Sequence, residues 1–502
     1  MSDDIKNLPT DPEALQKMVL SLQSQVKNLT AEKQHLIEQF RLAQQQRFGA
    51  SSEGHPAQGD LFNEAEAVLD VDEEVDESTP TAVKKKPIRQ KLPKTLEREV
   101  IIHDLTDDEK NCECCGKPLH QIGESRSEKL AFIPAKVKVI EHVRLKYSCR
   151  TCEKEGVSTK VKSAPVPPSP IPKGIATPSL LSQLITSKYQ YALPLYRQES
   201  LFKQYGIALS RKTMSEWMMK CSELFKPLYE QLQKTLLQQS VIQADETTLK
   251  VINEEKAKCY MWLYCTGSDV PTQSAVPNIV LFDYQSGRGG QCAVDYLGGY
   301  NGYLQVDGYA GYEKTSATLV GCWAHARRKF KEAEIAQPQG KTGKANMALN
   351  YIQKLYRIEI QLKDKDAAQK YQIRQEKAKP LLGQFYQWLE KSNVPPKTAL
   401  GKAIQYCKNQ WHKLIQYIEN GDLNIDNNRA ERAVKPFVIG RKNWLFSNTA
   451  NGAKTSAMHY SLIETAKANG LVPFDYLMYC LEQLSNPSLD VRSLLPWNVK
   501  LS

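Results

Sequence analysis

The hydrophobic pattern of the chain changes its period at residue 241, and this change restricts the fold more than any other feature. Short runs rich in β-branched and aromatic residues replace the helical spacing of the preceding segment. Three such runs come in succession: VIQADETTLKVI, CYMWLYCTG and NIVLFDYQ. A helix-like QCAVDYLGGY and two further runs, GYLQVDGY and ATLVGCWAH, follow. Three successive strands and then alternating helix and strand predict an α/β core with a mixed sheet.

A long helical stretch interrupts the strand pattern before the core resumes. Residues 331–420 carry only helical spacing, and IDNNRAERAVKPFVIGRKNWLF then returns to the core. We therefore expect a core built from residues 241–330 and 421–453, with a large α-helical insertion over 331–420. Residues 454–502 are expected to form a C-terminal helical segment.

The N-terminal part is expected to form smaller units, because 502 residues exceed what one core usually holds. Residues 12–48 carry apolar residues every seven positions, which predicts a coiled coil and self-association as a dimer or higher oligomer. The seam consists of Leu15, Val19, Leu22, Val26, Leu29, Leu36 and Phe40, with Lys33 as its one polar member. The alternative is a single amphipathic helix docked on its own chain. Residues 49–98 contain an acidic block and then a basic one, which predicts a disordered charged linker.

Two Cys-x-x-Cys pairs within residues 100–155 predict a zinc ribbon-like module. Each pair can present two thiolates from one tight turn, and four thiolates close a tetrahedral, structural Zn²⁺ site. The expected ligands are Cys112, Cys115, Cys149 and Cys152. Alternative ligands close to them are Cys114, His103, His120 and His142.

Residues 163–178 are a proline-rich linker, and residues 179–240 have helical spacing throughout. In the second segment a turn at Gly206 separates two helices, and Ser210 is suited to cap the second one. This outline predicts a helix-turn-helix-like DNA-binding region, although ordinary helical hairpins share it. The candidates for DNA contact at the start of the second helix are Arg211, Lys212 and Thr213.

Two aspartates of the core are candidates for metal binding. Asp245 lies late in VIQADETT, and Asp307 ends the strand-like part of YLQVDGYAGY. Carboxylates at adjacent strand ends can converge on Mg²⁺, and two such ions support attack on a phosphodiester. Aspartates at strand ends also commonly cap turns, and Asp283 and Asp295 are rival acids.

Glu431 is the third acidic candidate and lies in NNRAERAVKP, a predicted helix that starts near Asn428. The spacing of these two residues also fits a capping box, in which the glutamate would only satisfy a backbone amide. Pro436 is expected to end or kink the helix. The surrounding bases favour a site for metal and phosphate, and they are candidates for DNA contact: Arg429, Arg432, Lys435, Arg441 and Lys442.

Charge and composition restrict the partners and the compartment. The net charge of +11 favours an anionic partner, of which a nucleic acid backbone is the commonest. The chain has no apolar run near the ~18 residues of a membrane span and no secretory signal at its N-terminus. We therefore expect a cytoplasmic protein without a membrane partner.

Several of these segments, in this order, resemble transposases of the insertion sequence 66 family, TnpC type, over nearly the whole chain. The matching segments, besides the paired cysteine motifs, are RFGASSE, LPLYRQESLF, SRKTMSEW, ADETTLKV, QVDGYAGY, GCWAHARRKF and DNNRAERAVKPFVIGRKNWLFSNTANGA. The resemblance implies a multidomain α+β protein with an RNase H-like catalytic core. By motif, the family's catalytic acids, which bind Mg²⁺ or Mn²⁺, fall on Asp245, Asp307 and Glu431.

The resemblance also covers a Cys-x-x-His signature after the second aspartate. Cys322, His325 and Arg328 are candidates for support of the active site, and simple packing of Cys322 is the alternative. The chain departs from better-known Asp–Asp–Glu transposases seven positions after the glutamate, where Val438 replaces a basic residue. Arg441 or Lys442 is the expected substitute.

The function implied by the resemblance is that of a bacterial DNA transposase, nucleoid-associated when bound to DNA. Such an enzyme binds the terminal inverted repeats of its element, cleaves DNA strands and joins them to target DNA. Accessory proteins of the same element are implied partners. Two other functions stay open, namely a zinc-containing DNA-binding protein without catalysis and an RNase H-like nuclease or resolvase that cleaves without joining.

Overall fold

The computed structural model describes residues 11–48, 100, 137–147, 162–165, 168–256, 258–268, 271, 276–337, 343–486 and 488–501. It divides into two compact units, of which the first is Met1–Val71 with Pro165–Ser502 and the second is Asp72–Ala164. Among the described helices, none combines the length and the apolarity that a bilayer crossing requires.

The described part of the second unit contains one short pair of strands. Strand β1 (Lys146–Tyr147) pairs antiparallel with β2 (Lys162–Ser163), and Arg144 donates hydrogen bonds to the Ser163 hydroxyl and the Ala164 carbonyl. The linker expected at 49–98 and the four cysteines expected to bind zinc lie outside the described residues; these cysteines are Cys112, Cys115, Cys149 and Cys152.

The N-terminal helix α1 (Pro12–Phe48) exposes the heptad leucines along its length. Near its C-terminal end it contacts the helical insertion of the same chain. Arg41 Nη1 donates to the Ala336 carbonyl at 2.9 Å, and a Glu38 carboxylate oxygen accepts the Ala399 amide at 3.0 Å. The helix therefore contacts its own chain through polar groups at one end, and its apolar seam stays exposed.

A mixed sheet of five strands forms the centre of the first unit, which confirms the mixed helix and sheet class expected from the sequence. The strands are β3 (Val241–Leu249), β4 (Cys259–Thr266), β5 (Ile279–Gln285), β6 (Tyr303–Gln305) and β7 (Thr318–Val320). Their spatial order is β5-β4-β3-β6-β7. The first three form an antiparallel meander, β6 runs parallel to β3, and β7 runs parallel to β6. The connection from β5 to β6 contains a helix over Gly290–Leu297.

Helices from both ends of the unit share one hydrophobic core with this sheet. The helices before the sheet are α2 (Pro178–Tyr189), α3 (Leu195–Gln204) and α4 (Arg211–Leu237). The later elements are α5 (Gly290–Leu297), α11 (Asn428–Trp444), α12 (Ala450–Ala468), α13 (Pro473–Gln483) and two 3₁₀ turns (Ala310–Lys314 and Val491–Leu494). Phe225 and Leu228 of α4 are fully buried in the cluster that contains the strand side chains. The predicted helical region of residues 179–240 is therefore packed into the core of the sheet.

The insertion between β7 and α11 has a second hydrophobic core. Its elements are α6 (Trp323–Ile335), α7 (Lys344–Gln361), α8 (Ala367–Ile373), a π-helical turn (Arg374–Ala378), α9 (Lys379–Lys391), α10 (Ala399–Leu414) and a 3₁₀ turn (Gln416–Ile418). Helix α6 directs Trp323 and Phe330 into this core, where both rings contact Phe385. The Trp323 indole N–H also donates to the Leu414 carbonyl at 2.9 Å.

Of the two expectations for Pro436, that it ends or kinks the helix of Glu431, the first is wrong. Helix α11 continues eight residues beyond the proline and ends at Trp444. A proline inside a helix removes one backbone hydrogen bond. Phe437 and Gly440, on the far side of the proline, are buried, and this packing of both halves offsets the loss.

Candidate active site

The two candidate aspartates lie side by side because of the register of two parallel strands. Gln243 of β3 is paired with Gln305 of β6, and each aspartate follows its glutamine by two residues. Side chains two residues apart project from the same face of a strand. Asp245 lies in the middle of β3, not at its end as expected, but it is just past the last residue that pairs with β6.

Glu431 reaches the same place from helix α11, in its first turn. Its side chain is only 4% exposed. Neither of its carboxylate oxygens accepts a hydrogen bond from the described residues, and α11 has no side-chain cap at Asn427. The capping-box alternative is therefore excluded, since Glu431 does not satisfy a backbone amide.

The start of α11 is attached to the sheet through side chains. Asn427 Nδ2 donates to the carbonyl of Ala244, the residue that precedes Asp245, at 2.9 Å. The Asn427 backbone N–H donates to Cys322 Sγ at 3.2 Å. A second link runs through the glutamine pair, because Gln305 accepts from Gln243 and donates to the backbone that leads into the helix.

The charges of the three carboxylates act on one another. Burial raises the pKa of Asp245 well above its usual value, and the charges of Glu246, Asp307 and Glu431 raise it further. Burial also raises the pKa of Glu431 to about 7; Arg328 opposes this rise, and Asp426 and Asp307 add to it. A cation placed among these groups would relieve both the burial of charge and the repulsion. The arrangement therefore favours a divalent metal held by oxygen ligands.

The Cys-x-x-His signature lies against Glu431. His325 Nδ1 is 3.3 Å from one Glu431 oxygen, and Arg328 Nη2 is 3.8 Å from the other. Burial lowers the pKa of His325 to about 4, and the charge of Arg328 acts in the same direction, so the imidazole is neutral near pH 7. Cys322 is buried and accepts the amide that begins α11, so it has a contact beyond simple packing.

A second cluster beside the aspartates was not anticipated from the sequence. The Glu246 carboxylate, whose side chain is 1% exposed, accepts hydrogen bonds from the Tyr312 hydroxyl at 2.7 Å and from Arg288 Nε at 2.9 Å. The Arg288 guanidinium lies 3.9 Å from the centre of the Tyr309 ring, and the Tyr309 amide donates to Asp307. The adjacent acids in ADETT were the only signal in the sequence, and they did not reveal these distant partners.

The rival acids lie elsewhere. Asp283 is on β5, which β4 separates from β3, and it accepts a hydrogen bond from Gln285. Asp295 is exposed on α5 and accepts a hydrogen bond from Gln291. Neither acid is among the main causes that shift the pKa of Asp245 or Glu431.

The basic residues of α11 divide into two groups. Arg429 is buried and donates to the Thr266 carbonyl at the end of β4, so its assignment as a DNA contact is wrong. Arg441 is part-buried and donates to the Thr248 carbonyl and hydroxyl of β3. Arg432 and Lys442 are exposed, and Lys435 is part-exposed.

The predicted helix-turn-helix lies at α3 and α4. The turn contains Gly206 with a φ of 74°, a conformation that favours glycine. Ser210 caps α4 by accepting the Thr213 amide at 3.2 Å. Arg211 and Lys212 are exposed at the start of α4, although Arg211 forms an ion pair with Glu199.

Four family models match successive parts of the chain. The model described as Transposase IS66 family matches residues 173–455, and the IS66 C-terminal element matches residues 461–497. The zinc-finger binding domain of transposase IS66 matches residues 109–153, which contain the paired cysteine motifs. A model described as Transposase C of IS166 homeodomain matches residues 35–101.

Two similar proteins of Sinorhizobium fredii cover most of the chain. The uncharacterized protein y4jD is 31% identical over 521 aligned residues, which cover 99% of this chain and 98% of y4jD. The uncharacterized protein y4qI is 32% identical over 462 residues, which cover 88% of this chain and 83% of y4qI. Because the Transposase IS66 family model matches more than half of the chain, and y4jD is 31% identical over nearly its whole length, the chain belongs to the IS66 transposase family.

Proposed function

We propose that this chain is a transposase that cleaves and joins DNA at Asp245, Asp307 and Glu431 on an RNase H-like core. One observation carries the proposal: three carboxylates distant in sequence interact electrostatically, and neither oxygen of the buried Glu431 accepts a hydrogen bond from the residues that the structure describes. The sheet order agrees with it, because β6 lies parallel and next to β3 and its register brings Asp307 beside Asp245.

The oxygen donors and their mutual repulsion fit a divalent cation, for which Mg²⁺ or Mn²⁺ is the proposal. When bound, such ions supply activation of the attacking hydroxyl and stabilisation of the leaving oxygen. Asp245 and Asp307 would hold them from the strands, and Glu431 from α11. The guanidinium of Arg328, about three-quarters buried beside Glu431, would contact the scissile phosphate.

We propose that residues outside the three-carboxylate centre recognise the ends of the element. The exposed Arg211 and Lys212 at the start of α4 are proposed to contact the terminal inverted repeats, together with the zinc-finger region over residues 109–153. Arg432, Lys435 and Lys442 of α11 would contact DNA near the active site. Target DNA and accessory proteins of the same element are the remaining proposed partners.

Self-association is proposed to run through α1. Its heptad seam is exposed along the helix, and apolar residues at this spacing pair two helices in a coiled coil. A dimer would bring the two ends of the element together. Joining both ends to one target requires this pairing.

The proposal is tested with full-length protein on a supercoiled plasmid that carries the intact element, in the presence of Mg²⁺. Asp245→Asn and Glu431→Gln should each lower strand cleavage by about 1,000-fold or more, because a metal ligand supplies several kcal/mol of transition-state stabilisation. Binding of the ends, measured by mobility shift, should stay close to wild type. Asp295→Asn is the matched control, since this exposed acid lies outside the centre and should cleave normally.

The outcomes separate the three functions. Unchanged cleavage in either active-site variant contradicts the assignment of the centre. End binding by the wild type without any cleavage would identify a DNA-binding protein without catalysis. Cleavage without strand joining would identify a nuclease or resolvase.

A further inference from the structure

We propose that Cys322, His325 and Glu431 form a zinc site of their own, distinct from the cysteine-rich region at residues 109–153. One ligand atom from each residue lies within 4.8 Å of the other two. Glu431 would be common to this site and to the magnesium centre. The inference rests on the proposed function only for that second role of Glu431.

The local sequence explains how a thiol and an imidazole come to one place. Cys322 precedes the first residue of α6, and His325 is in its first turn. Glu431 is in the first turn of α11, so the N-terminal ends of two long helices converge. The positive end of a helix dipole stabilises an adjacent thiolate or carboxylate.

The ligand atoms have few competing partners. The two carboxylate oxygens of Glu431 and the Nδ1 atom of His325 are buried. Among the described residues, none of these three atoms has a hydrogen-bond partner. Cys322 Sγ accepts the Asn427 N–H at 3.2 Å. An amide donor to the sulfur is a typical second partner of a metal-bound thiolate, and it leaves the sulfur free to ligate.

The spacing suits a small tetrahedral ion. Zinc bonds of about 2.0–2.3 Å keep neighbouring ligand atoms about 3.3–3.8 Å apart. His325 Nδ1 and its nearer Glu431 oxygen are already 3.3 Å apart. The other oxygen of Glu431 faces Arg328. One carboxylate oxygen is therefore next to the His325 imidazole, and the other is next to the Arg328 guanidinium.

The donor set selects the class of metal. Sulfur and nitrogen ligands favour Zn²⁺ and similar transition metals, whereas Mg²⁺ takes oxygen ligands. Binding would replace the thiol proton, so that Cys–SH and Zn²⁺ give Cys–S–Zn⁺ and release H⁺. Three protein ligands would leave a fourth position to water. Because the bound ion would occupy Glu431, zinc and magnesium would compete for this carboxylate.

The test is a titration of the full-length, metal-depleted protein with Co²⁺, a spectroscopic substitute for zinc, without DNA. The wild type should bind about one Co²⁺ per chain more than Cys322→Ser or His325→Ala. The absorption that cobalt–thiolate bonds produce should fall in Cys322→Ser. Cys407→Ser, which changes another buried cysteine that is not a member of this cluster, is the matched control and should bind as much as the wild type.

Equal cobalt binding by the wild type, Cys322→Ser and His325→Ala would overturn the inference. Serine keeps an acceptor for the Asn427 amide, and His325 is about one-quarter exposed, so at least one variant should fold, as thermal melting would verify. Failure here is distinguishable from failure of the proposed function. A loss of cleavage in Glu431→Gln with unchanged cobalt binding in Cys322→Ser overturns only the zinc site, and the reverse result overturns only the catalytic assignment.

Discussion

The sheet and the helical insertion are stabilised in different ways, and the candidate site lies where they meet. The core of the sheet is largely aliphatic and aromatic, with one buried histidine, His459, among the rings of Tyr189 and Phe225. The core of the insertion contains stacked aromatic rings and a buried charge, Arg374, which is 2% exposed.

The difference explains how the site is assembled. The sheet supplies the two aspartates through strand register, whereas α6, anchored in the insertion by Trp323, supplies His325 and Arg328. Glu431 is between them and is placed by side-chain contacts. The positions of Asp245 and Asp307 therefore depend on the backbone hydrogen bonds between strands. The environment of Glu431 depends on the folding of both cores.

The largest expected effect comes from removing the buried charge of the insertion. Arg374 pairs with Glu359 and donates to the carbonyls of Tyr417, Asn420 and Leu423. Arg374→Met should lower the free energy of unfolding of the insertion by about 3–5 kcal/mol, because it leaves a carboxylate and buried carbonyls without a donor. Denaturant unfolding followed by tryptophan fluorescence measures this, since Trp388 and Trp411 lie in that core.

The control for this prediction is the exposed ion pair between Arg492 and Asp490. Like the buried pair, it joins an arginine to a carboxylate. Arg492→Met should unfold like the wild type, because solvent already screens this pair. An equal destabilisation by the two variants would contradict the view that the insertion depends on a buried charge.

A smaller loss is expected where the two cores join. Asn427→Ala removes the hydrogen bond that ties α11 to β3 beside Asp245. Cleavage should fall by about 10–100-fold, as for other residues that orient a metal ligand, while binding of the element ends stays unchanged. The requirement for Mg²⁺ should shift to higher concentrations, because Glu431 is no longer held in place.

Asn469→Ala is the matched control for that variant. This side chain also donates to a backbone carbonyl beside a strand, that of Asn278, but it lies away from the three acids. It should lower stability without changing the Mg²⁺ requirement. A normal Mg²⁺ requirement in Asn427→Ala would show that strand register alone places the site.

Much of this organisation could be predicted from local patterns. The strands followed from short runs of β-branched and aromatic residues, and the helix start at Ser210 followed from capping chemistry. The two aspartates could be matched because one lies late in a strand-like run and the other ends one, and parallel register then makes similar positions neighbours. The sharing of one core by α4 and the sheet was not predicted, since helical spacing identifies a buried face but not its partner.

The remaining contacts had no local signal. Asn427 bonds to a carbonyl 183 positions away and to a sulfur 105 positions away. Arg429 was grouped with exposed bases because the sequence shows its charge but not the Thr266 carbonyl that it contacts. Side chains whose partners come from another element are set by tertiary packing, and residue type alone does not distinguish them from surface groups.

The smallest expected effect tests the core of the sheet through its buried histidine. Burial lowers the pKa of His459 to about 3, and the ring hydrogen-bonds to the Met218 carbonyl. In the unfolded chain this histidine has the ordinary pKa of about 6.5, so it binds a proton more readily than in the folded protein. The stability that the neutral ring contributes is therefore complete above about pH 6.5 and falls as the pH is lowered. From pH 7 to pH 6 the free energy of unfolding should decrease by about 0.7 kcal/mol through this residue. Thermal unfolding of wild type and His459→Gln at both pH values measures the difference, and equal pH dependence in the two proteins would contradict a neutral buried ring.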